Sequence, residues 1–135
     1  MDLGLTHIAL PVADVDRTVA FYGRYAAMEV VHRRVDPEHS TTVAWLSDHT
    51  RPFVIVIIEH APTDGVLNGA YAHLGVAVAS RAEVDTLAAM AVADGVEVYG
   101  PVDAGDPVGY YAILRDPDGH NLEISYGQQI GLTVA

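Results

Sequence analysis

The amino-acid sequence predicts an α+β fold built from two βαβββ modules that repeat one pattern. The first copy opens at His7 as His-Ile-Ala-Leu-Pro-Val-Ala-Asp, and the second opens at His73 as His-Leu-Gly-Val-Ala-Val-Ala-Ser. In both copies a histidine enters a short alternating strand, and the strand runs into a residue that can cap a helix. Because about half of the chain separates the two histidines, the repeat is a duplicated module and not a solenoid array. We place the modules at about 1–62 and 70–127 of a single domain, 1–135.

In the first module, the strand at His7 is followed by apolar residues with helical spacing. They predict a helix from about Asp14 to Met28, capped by Asp14 or Asp16. Three strands follow, at about Glu29–Arg34, Thr41–Ser47 and Phe53–Glu59. The last of these is apolar on both faces over residues 53–58, which fits a strand buried between its own sheet and a partner.

The second module follows a linker at Ala61–Tyr71 that is rich in Pro and Gly. Its helix is predicted to begin at a capping box of Ser80 and Glu83 and to end at Gly95. The strands after this helix are predicted at about Val96–Tyr99, Tyr110–Arg115 and Asn121–Tyr126. A tight turn, Asp-Pro-Asp-Gly at 116–119, joins the last two strands, and we expect His120 after it to be exposed to solvent.

Composition excludes several classes of function. The chain has 135 residues, a net charge of −11 and no cysteine, and its seven basic residues are all arginines scattered along the sequence. A clustered positive field is lacking, so we expect no partner among nucleic acids or anionic membranes. Without cysteine or lysine, thiolate chemistry, iron–sulfur clusters and Schiff bases are excluded. Patterned sequence begins by Leu5, which leaves no room for a signal peptide, and a cytoplasmic protein is expected.

Strand alternation brings three potential metal ligands to one side of the predicted sheets. His7 and His73 share a face with small residues, while the aliphatic residues of the same strands face the helices. Glu123 lies on the corresponding open face of the last strand. Two imidazoles and one carboxylate form a set of ligands that suits a divalent transition metal.

Three segments together resemble the vicinal oxygen chelate superfamily, which includes glyoxalase I, bleomycin-resistance proteins, fosfomycin-resistance transferases and type I extradiol dioxygenases. They are the opening run His7–Tyr22, the run Ala70–Val78, and Asp-Pro-Asp-Gly-His-Asn-Leu-Glu-Ile at 116–124, which is the most specific. The resemblance covers essentially the whole chain. It implies paired βαβββ modules that form a cup-shaped mixed sheet.

The resemblance also implies a metal-dependent dioxygenase, lyase or isomerase. His7, His73 and Glu123 would bind Fe²⁺, Mn²⁺, Ni²⁺ or Zn²⁺, and a small substrate would chelate the metal through two adjacent oxygens. Glu123 is also a candidate catalytic residue. The extradiol signature has a tyrosine where this chain has Ile113, and Tyr111, two residues away on the same face, is the candidate catalytic tyrosine.

Departures from the family pattern leave the reaction open. Glyoxalase I has a second carboxylate in the first module, at a position that we match to Ile55 or Ile57. Glu59 could substitute for it only with a shift in strand register, so we expect that the protein is not glyoxalase I. Fosfomycin transferases need a cationic pocket, which this acidic chain offers poorly.

Two further interpretations concern binding and assembly. A metal-free protein that sequesters a small molecule, of the bleomycin-resistance type, is the alternative function. The resemblance implies a homodimer in which His7 of one subunit can meet His73 and Glu123 of the other. Trp45, central in its strand, is expected to line the cavity or an interface.

Overall fold

The structure is a computed structural model that describes residues 3–37, 40–61 and 71–130. Its elements occur in the order β1 α1 β2 β3 β4, then β5 α2 β6 β7 β8. They span His7–Val12 (β1), Val15–Ala26 (α1), Glu29–Asp36 (β2), Thr41–Ser47 (β3), Val54–Glu59 (β4), Leu74–Ala77 (β5), Arg81–Ala93 (α2), Val98–Asp103 (β6), Tyr110–Arg115 (β7) and Asn121–Tyr126 (β8). The prediction of an α+β fold with two βαβββ modules is confirmed.

The chain divides into two compact units, Met1–Val66 and Leu67–Ala135. Each unit contains one four-stranded mixed sheet, with strand orders β1-β4-β3-β2 and β5-β8-β7-β6. In each sheet the first strand of the module pairs in parallel with the last, and the remaining pairs are antiparallel. The last strand of each module is therefore central, with a hydrogen-bonded neighbour on both sides.

Each sheet packs its aliphatic face against the helix of its own unit. In unit 1, Leu10 and Ile57 on the sheet and Tyr22 on α1 are fully buried. In unit 2, Leu122 and Ile124 on β8 and Val84 on α2 are also fully buried. Burying a Leu or Ile side chain stabilises a fold by about 1.5–3 kcal/mol, so these faces fix which side of each strand points away from its helix.

The caps of the two helices are formed in different ways. Asp14 caps α1 by accepting a hydrogen bond from the Arg17 amide at 3.0 Å. Ser80 accepts from the Glu83 amide at 3.1 Å, and the Glu83 carboxylate accepts from the Ala79 amide at 2.9 Å, so the predicted capping box is present. Both caps satisfy amide groups that have no partner inside their helix.

Some predicted boundaries require correction. The strand predicted at Val96–Tyr99 runs over Val98–Asp103, and its register shifts between Tyr99 and Val102. The linker predicted at Ala61–Tyr71 falls almost entirely outside the described residues. Neither α1 nor α2 is long and apolar enough to cross a membrane. The cytoplasmic location stays a prediction.

Candidate functional site: a histidine–glutamate pair

Glu123 is held in the middle of the unit 2 sheet. It is the third residue of β8, paired with Gly75 of β5 on one side and with Ile113 of β7 on the other. Its side chain points away from α2, and only 8% of that side chain is exposed. A carboxylate with so little solvent needs polar or cationic partners, because burying an unpaired charge is costly.

Gly75 provides the space that the Glu123 carboxylate occupies. A Cβ added at Gly75 would lie 3.2 Å from Oε2 of Glu123, closer than ordinary van der Waals contact. The glycine is not in the left-handed region, so its role here is to be small. Its repeat counterpart in β1 is Ala9, which pairs with Val56 and faces no carboxylate.

His73 lies immediately before β5, and its two ring nitrogens have different surroundings. Nδ1 is 2.8 Å from the backbone carbonyl oxygen of Tyr71. Because a carbonyl only accepts, the neutral ring must carry its proton on Nδ1, which leaves a lone pair on Nε2. A hydrogen bond from the second ring nitrogen to a carbonyl is the usual way in which proteins orient a metal-binding imidazole.

The ring nitrogen Nε2 of His73, which carries the lone pair, lies near the carboxylate of Glu123. Nε2 lies 3.7 Å from Oε2, and the side chain of His73 is 40% exposed. This distance is too long for a hydrogen bond. It is short enough for both atoms to bind one ion, since two metal–ligand bonds of about 2.1 Å can join atoms up to about 4.2 Å apart. Imidazole and carboxylate are ligands that Mn²⁺, Fe²⁺, Ni²⁺ and Zn²⁺ accept, so the pair fits such an ion.

His7, the third predicted ligand, belongs to unit 1. It is exposed on the face of β1 that points away from α1, as predicted, and its Nδ1 lies 2.9 Å from the hydroxyl oxygen of Thr6. Across residues 3–37, 40–61 and 71–130, no group of three or more potential ligands comes together. The structure thus brings His73 and Glu123 together, and the participation of His7 stays a prediction.

The first-module position equivalent to Glu123 is Val56. Gly75 pairs with Glu123 and its counterpart Ala9 pairs with Val56, so the assignment to Ile55 or Ile57 was wrong by one residue. The position is aliphatic, as expected. Ile55 and Ile57 are buried on the helix side of the sheet.

Glu59 also points to the helix side of the unit 1 sheet. Its carboxylate accepts a hydrogen bond from the Val15 amide at 3.2 Å, at the first turn of α1. There it complements the positive end of the helix dipole. This contact gives Glu59 a structural partner on the face opposite His7.

Tyr111 shares the face of Glu123 but is not its direct neighbour. Tyr111 pairs with Ser125, while Ile113 lies directly opposite Glu123. Such diagonal neighbours are about 7–8 Å apart, within the reach of a tyrosine side chain. Tyr110 points to the other face, where its hydroxyl donates a short hydrogen bond to Asp85, which raises the pKa of the phenol.

His120 is fully buried, so the expectation that it is exposed was wrong. Its backbone amide donates to Oδ1 of Asp116 at 2.9 Å, and the amide of Asp118 donates to the same oxygen at 2.8 Å. The turn folds back on Asp116 and carries the histidine inward. The motif at 116–124 thus positions Glu123 by fixing the start of β8.

Sequence reasoning noted small residues on the face of His73 but did not connect Gly75 with Glu123, and it missed the carbonyl group of Tyr71. The exchange of Ala9 for Gly75 between the two copies of the repeat was a signal for the first. A carbonyl group leaves no signal in a side-chain pattern.

Comparisons with known proteins identify the family of the chain. The model of the Glyoxalase/Bleomycin resistance protein/Dioxygenase superfamily matches residues 4–124. The uncharacterized protein PA2024 of Pseudomonas aeruginosa is 42% identical over 129 residues, which are 94% of this chain and 91% of that protein. The lactoylglutathione lyase of Escherichia coli O157:H7 is 28% identical over 123 residues, which are 89% of this chain and 90% of that enzyme.

Among solved structures, a mutant of the fosfomycin resistance protein FosX from Listeria monocytogenes has the same fold. It was crystallised with Mn(II) and 1S,2S-dihydroxypropylphosphonic acid. The TM-score is 0.76 at 25% sequence identity, and the match covers 100% of both chains.

Proposed function

The chain belongs to the Glyoxalase/Bleomycin resistance protein/Dioxygenase superfamily, and on this premise we propose that it is a divalent-metal-dependent enzyme. His73 and Glu123 would bind the metal with His7, and a small substrate would bind it through two adjacent oxygens. The observation that carries the proposal is the distance of 3.7 Å between Nε2 of His73 and the buried carboxylate oxygen Oε2 of Glu123.

Each protein group has a separate task in this proposal. The carbonyl of Tyr71 holds the imidazole of His73 in the tautomer that leaves Nε2 free. Gly75 leaves room for the carboxylate, and the central position of β8 fixes its direction. A bound divalent metal supplies Lewis-acid stabilisation of negative charge on the substrate oxygens. Tyr111, on the same face as Glu123, would donate a hydrogen bond to a substrate.

Two kinds of reaction remain candidates: a dioxygenase reaction on a catechol, and a lyase or isomerase reaction through an enediolate. The aliphatic Val56 argues against the glyoxalase I reaction, since the first-module carboxylate would be missing. We expect no robust turnover of the methylglyoxal–glutathione hemithioacetal. Turnover that disappears in Glu59→Gln would contradict the strand register that places Glu59 on the α1 side of the sheet.

A metal-binding measurement tests the proposal. The free energy of unfolding should rise by about 2.7 kcal/mol when Mn²⁺, Fe²⁺, Ni²⁺ or Zn²⁺ is present at about 100 times its Kd. His73→Ala and Glu123→Gln should abolish this increase. His49→Ala is the matched control, because His49 lies 3.9 Å from Glu29 in an exposed pair with side chains 57% and 77% accessible. Equal metal binding by all four proteins would refute the site, and wild-type protein without any response would favour the metal-free binding protein.

We also propose that the protein is a homodimer with composite sites. The proposal is supported by the face of β4 that points away from α1, where Val54, Val56 and Ile58 are only half-buried. Exposed apolar surface of this kind favours association. Mixing His7→Ala with Glu123→Gln protein should restore one intact site per heterodimer. A monomer at micromolar concentration would refute the dimer, and a dimer without complementation would confine each site to one chain.

A further inference from the structure

An aromatic side chain is exposed at the centre of the unit 1 sheet. Trp45 lies in β3, between β4 and β2, and 37% of it is exposed. Its register partners are Val56 on β4 and His32 on β2. Register partners point to the same side of a sheet, so these three side chains form a row on the face opposite α1. An indole left uncovered between two strands loses the stabilisation that burial would give.

A histidine and an arginine flank the indole. The rings of His32 and Trp45 have centroids 4.6 Å apart and are tilted by 52°. The guanidinium carbon of Arg34 lies 5.8 Å from the centroid of the Trp45 ring, within the range of a cation–π interaction. Together Trp45, His32 and Arg34 form a cation–aromatic cluster.

Arg34 differs from its neighbour in its pairing. Arg33 binds the carboxylate of Asp16 at 2.7 Å, and Arg81 binds that of Asp103 at 3.1 Å. For Arg34, no carboxylate among the described residues lies within ion-pair distance. With an aromatic contact and no carboxylate partner among the described residues, the guanidinium of Arg34 can pair with an anion from outside the chain.

We infer that the cation–aromatic cluster is a binding site for a planar aromatic monoanion such as an aryl carboxylate. The ring of the ligand would stack beside Trp45 and His32. Its carboxylate would accept two hydrogen bonds from the planar guanidinium group of Arg34. A single negative charge is favoured over several because the net charge of the protein repels polyanions. The inference goes beyond the proposed function, since none of these groups is a proposed metal ligand. It requires that a dimer interface at β4 leave Trp45 on β3 uncovered.

The fluorescence of Trp45 reports ligand binding at the cluster, because Trp45 is the only tryptophan in the chain. Its fluorescence would be followed while benzoate, benzamide or cyclohexanecarboxylate is added to metal-free protein. Benzoate should quench it saturably with a Kd of about 1 mM, a reasonable value for so small a ligand. Benzamide, which lacks the charge, and cyclohexanecarboxylate, which lacks the flat ring, should each bind about tenfold more weakly, a difference of about 1.4 kcal/mol.

Two neighbouring arginines provide a matched pair of variants. Arg34→Gln should weaken benzoate binding about tenfold and leave benzamide binding unchanged. Arg34→Lys keeps the positive charge but loses the planar guanidinium group. Its affinity for benzoate should lie between those of Arg34→Gln and wild type. Arg33→Gln removes the same charge one residue away and should bind benzoate as wild type does.

Several results would overturn the inference. They are equal affinity for benzoate and benzamide, equal losses in Arg33→Gln and Arg34→Gln, or no saturable quenching up to about 50 mM benzoate, well beyond the expected Kd. A fourth is weak quenching of Trp45 fluorescence by acrylamide that becomes stronger when the protein is diluted. This result would mean that a second copy of the chain covers the cluster and leaves it on dissociation. The benzoate titration uses metal-free protein, so a failure to bind benzoate would not count against the proposed metal site. A failure to bind metal would likewise not count against the benzoate site.

Discussion

The substitution Gly75→Ala tests whether the Glu123 carboxylate is held where the site needs it. The new methyl carbon would lie 3.2 Å from Oε2, so the carboxylate must move by a few tenths of an ångström. Gly75 is not in the left-handed region, so alanine fits the backbone conformation. Alanine in a strand interior gains up to about 1 kcal/mol over glycine from the smaller entropy of its unfolded chain.

The expected outcome separates folding from metal binding. Without metal, the free energy of unfolding of Gly75→Ala should stay within about 1 kcal/mol of wild type, because the entropic gain offsets the crowding. Metal affinity should fall about tenfold to hundredfold, the usual cost of disturbing groups that orient a metal ligand. Isothermal titration with Mn²⁺ measures the affinity, and urea unfolding of metal-free protein measures the stability.

The repeat supplies the matched control for this test. Ala9→Gly makes the reverse exchange at the equivalent position of β1, beside Val56, and should reduce stability by about 0.5–1 kcal/mol without changing metal affinity. If Gly75→Ala binds Mn²⁺ as tightly as wild type, the carboxylate is not constrained by Gly75 and our reasoning about the site fails. A large loss of stability in metal-free Gly75→Ala would also contradict it.

Three further predictions concern the parts of the chain that support the fold. Glu59→Ala should lower the free energy of unfolding by about 0.5–2 kcal/mol, because the Val15 amide loses its acceptor, while Mn²⁺ affinity stays unchanged. Asp116→Ala should lower the free energy of unfolding, measured in urea, by about 1–3 kcal/mol, since two turn amides lose their shared acceptor. An unchanged free energy of unfolding would refute this role. The hydrogen bond from Arg81 holds the pKa of Asp103 below its ordinary value of 3.8. The pair therefore stabilises the fold above that pH and stabilises it less as the pH falls below it. The melting temperature of Asp103→Asn should therefore be lower than that of wild type at neutral pH, and the two melting temperatures should converge in acid.

Most elements of the fold were predictable from the sequence. Alternation on β1 and β5 identified the faces of His7 and His73, and the predicted bounds of Thr41–Ser47, Tyr110–Arg115 and Asn121–Tyr126 agree with the structure. These predictions succeeded because burial against a helix forces a strand to show its aliphatic residues on one side.

The errors arose where hydrogen bonding, and not side-chain pattern, decides the structure. Glu123 is the third residue of β8, and its match in the strand predicted at Phe53–Glu59 was placed at Ile55 or Ile57. The strand begins at Val54, and the register makes Val56 the third residue. A shift of one residue moves a side chain to the opposite face, so the position could be assigned only from the pairing.

The burial of His120 depended on a contact that the local sequence does not display. Turn residues predict a reversal of the chain, and reversals are usually exposed. Here the two amides that bind Asp116 close the turn tightly enough to place the next side chain inside. The proximity of His73 to Glu123 was predictable as a shared face, whereas its 3.7 Å distance required the coordinates.

The hydrogen bond from the Val15 amide to Glu59 has a consequence for the order in which the two modules fold. The two residues are separated by 44 positions, so this bond forms only after β4 has returned to the start of α1. The cap of α2 is contained in the segment 79–83 and needs no distant partner. Local contacts close faster than distant ones because less chain entropy is lost. During refolding, pulsed hydrogen exchange should therefore show the amide of Glu83 protected before that of Val15, and simultaneous protection would mean that both helices wait for their sheets.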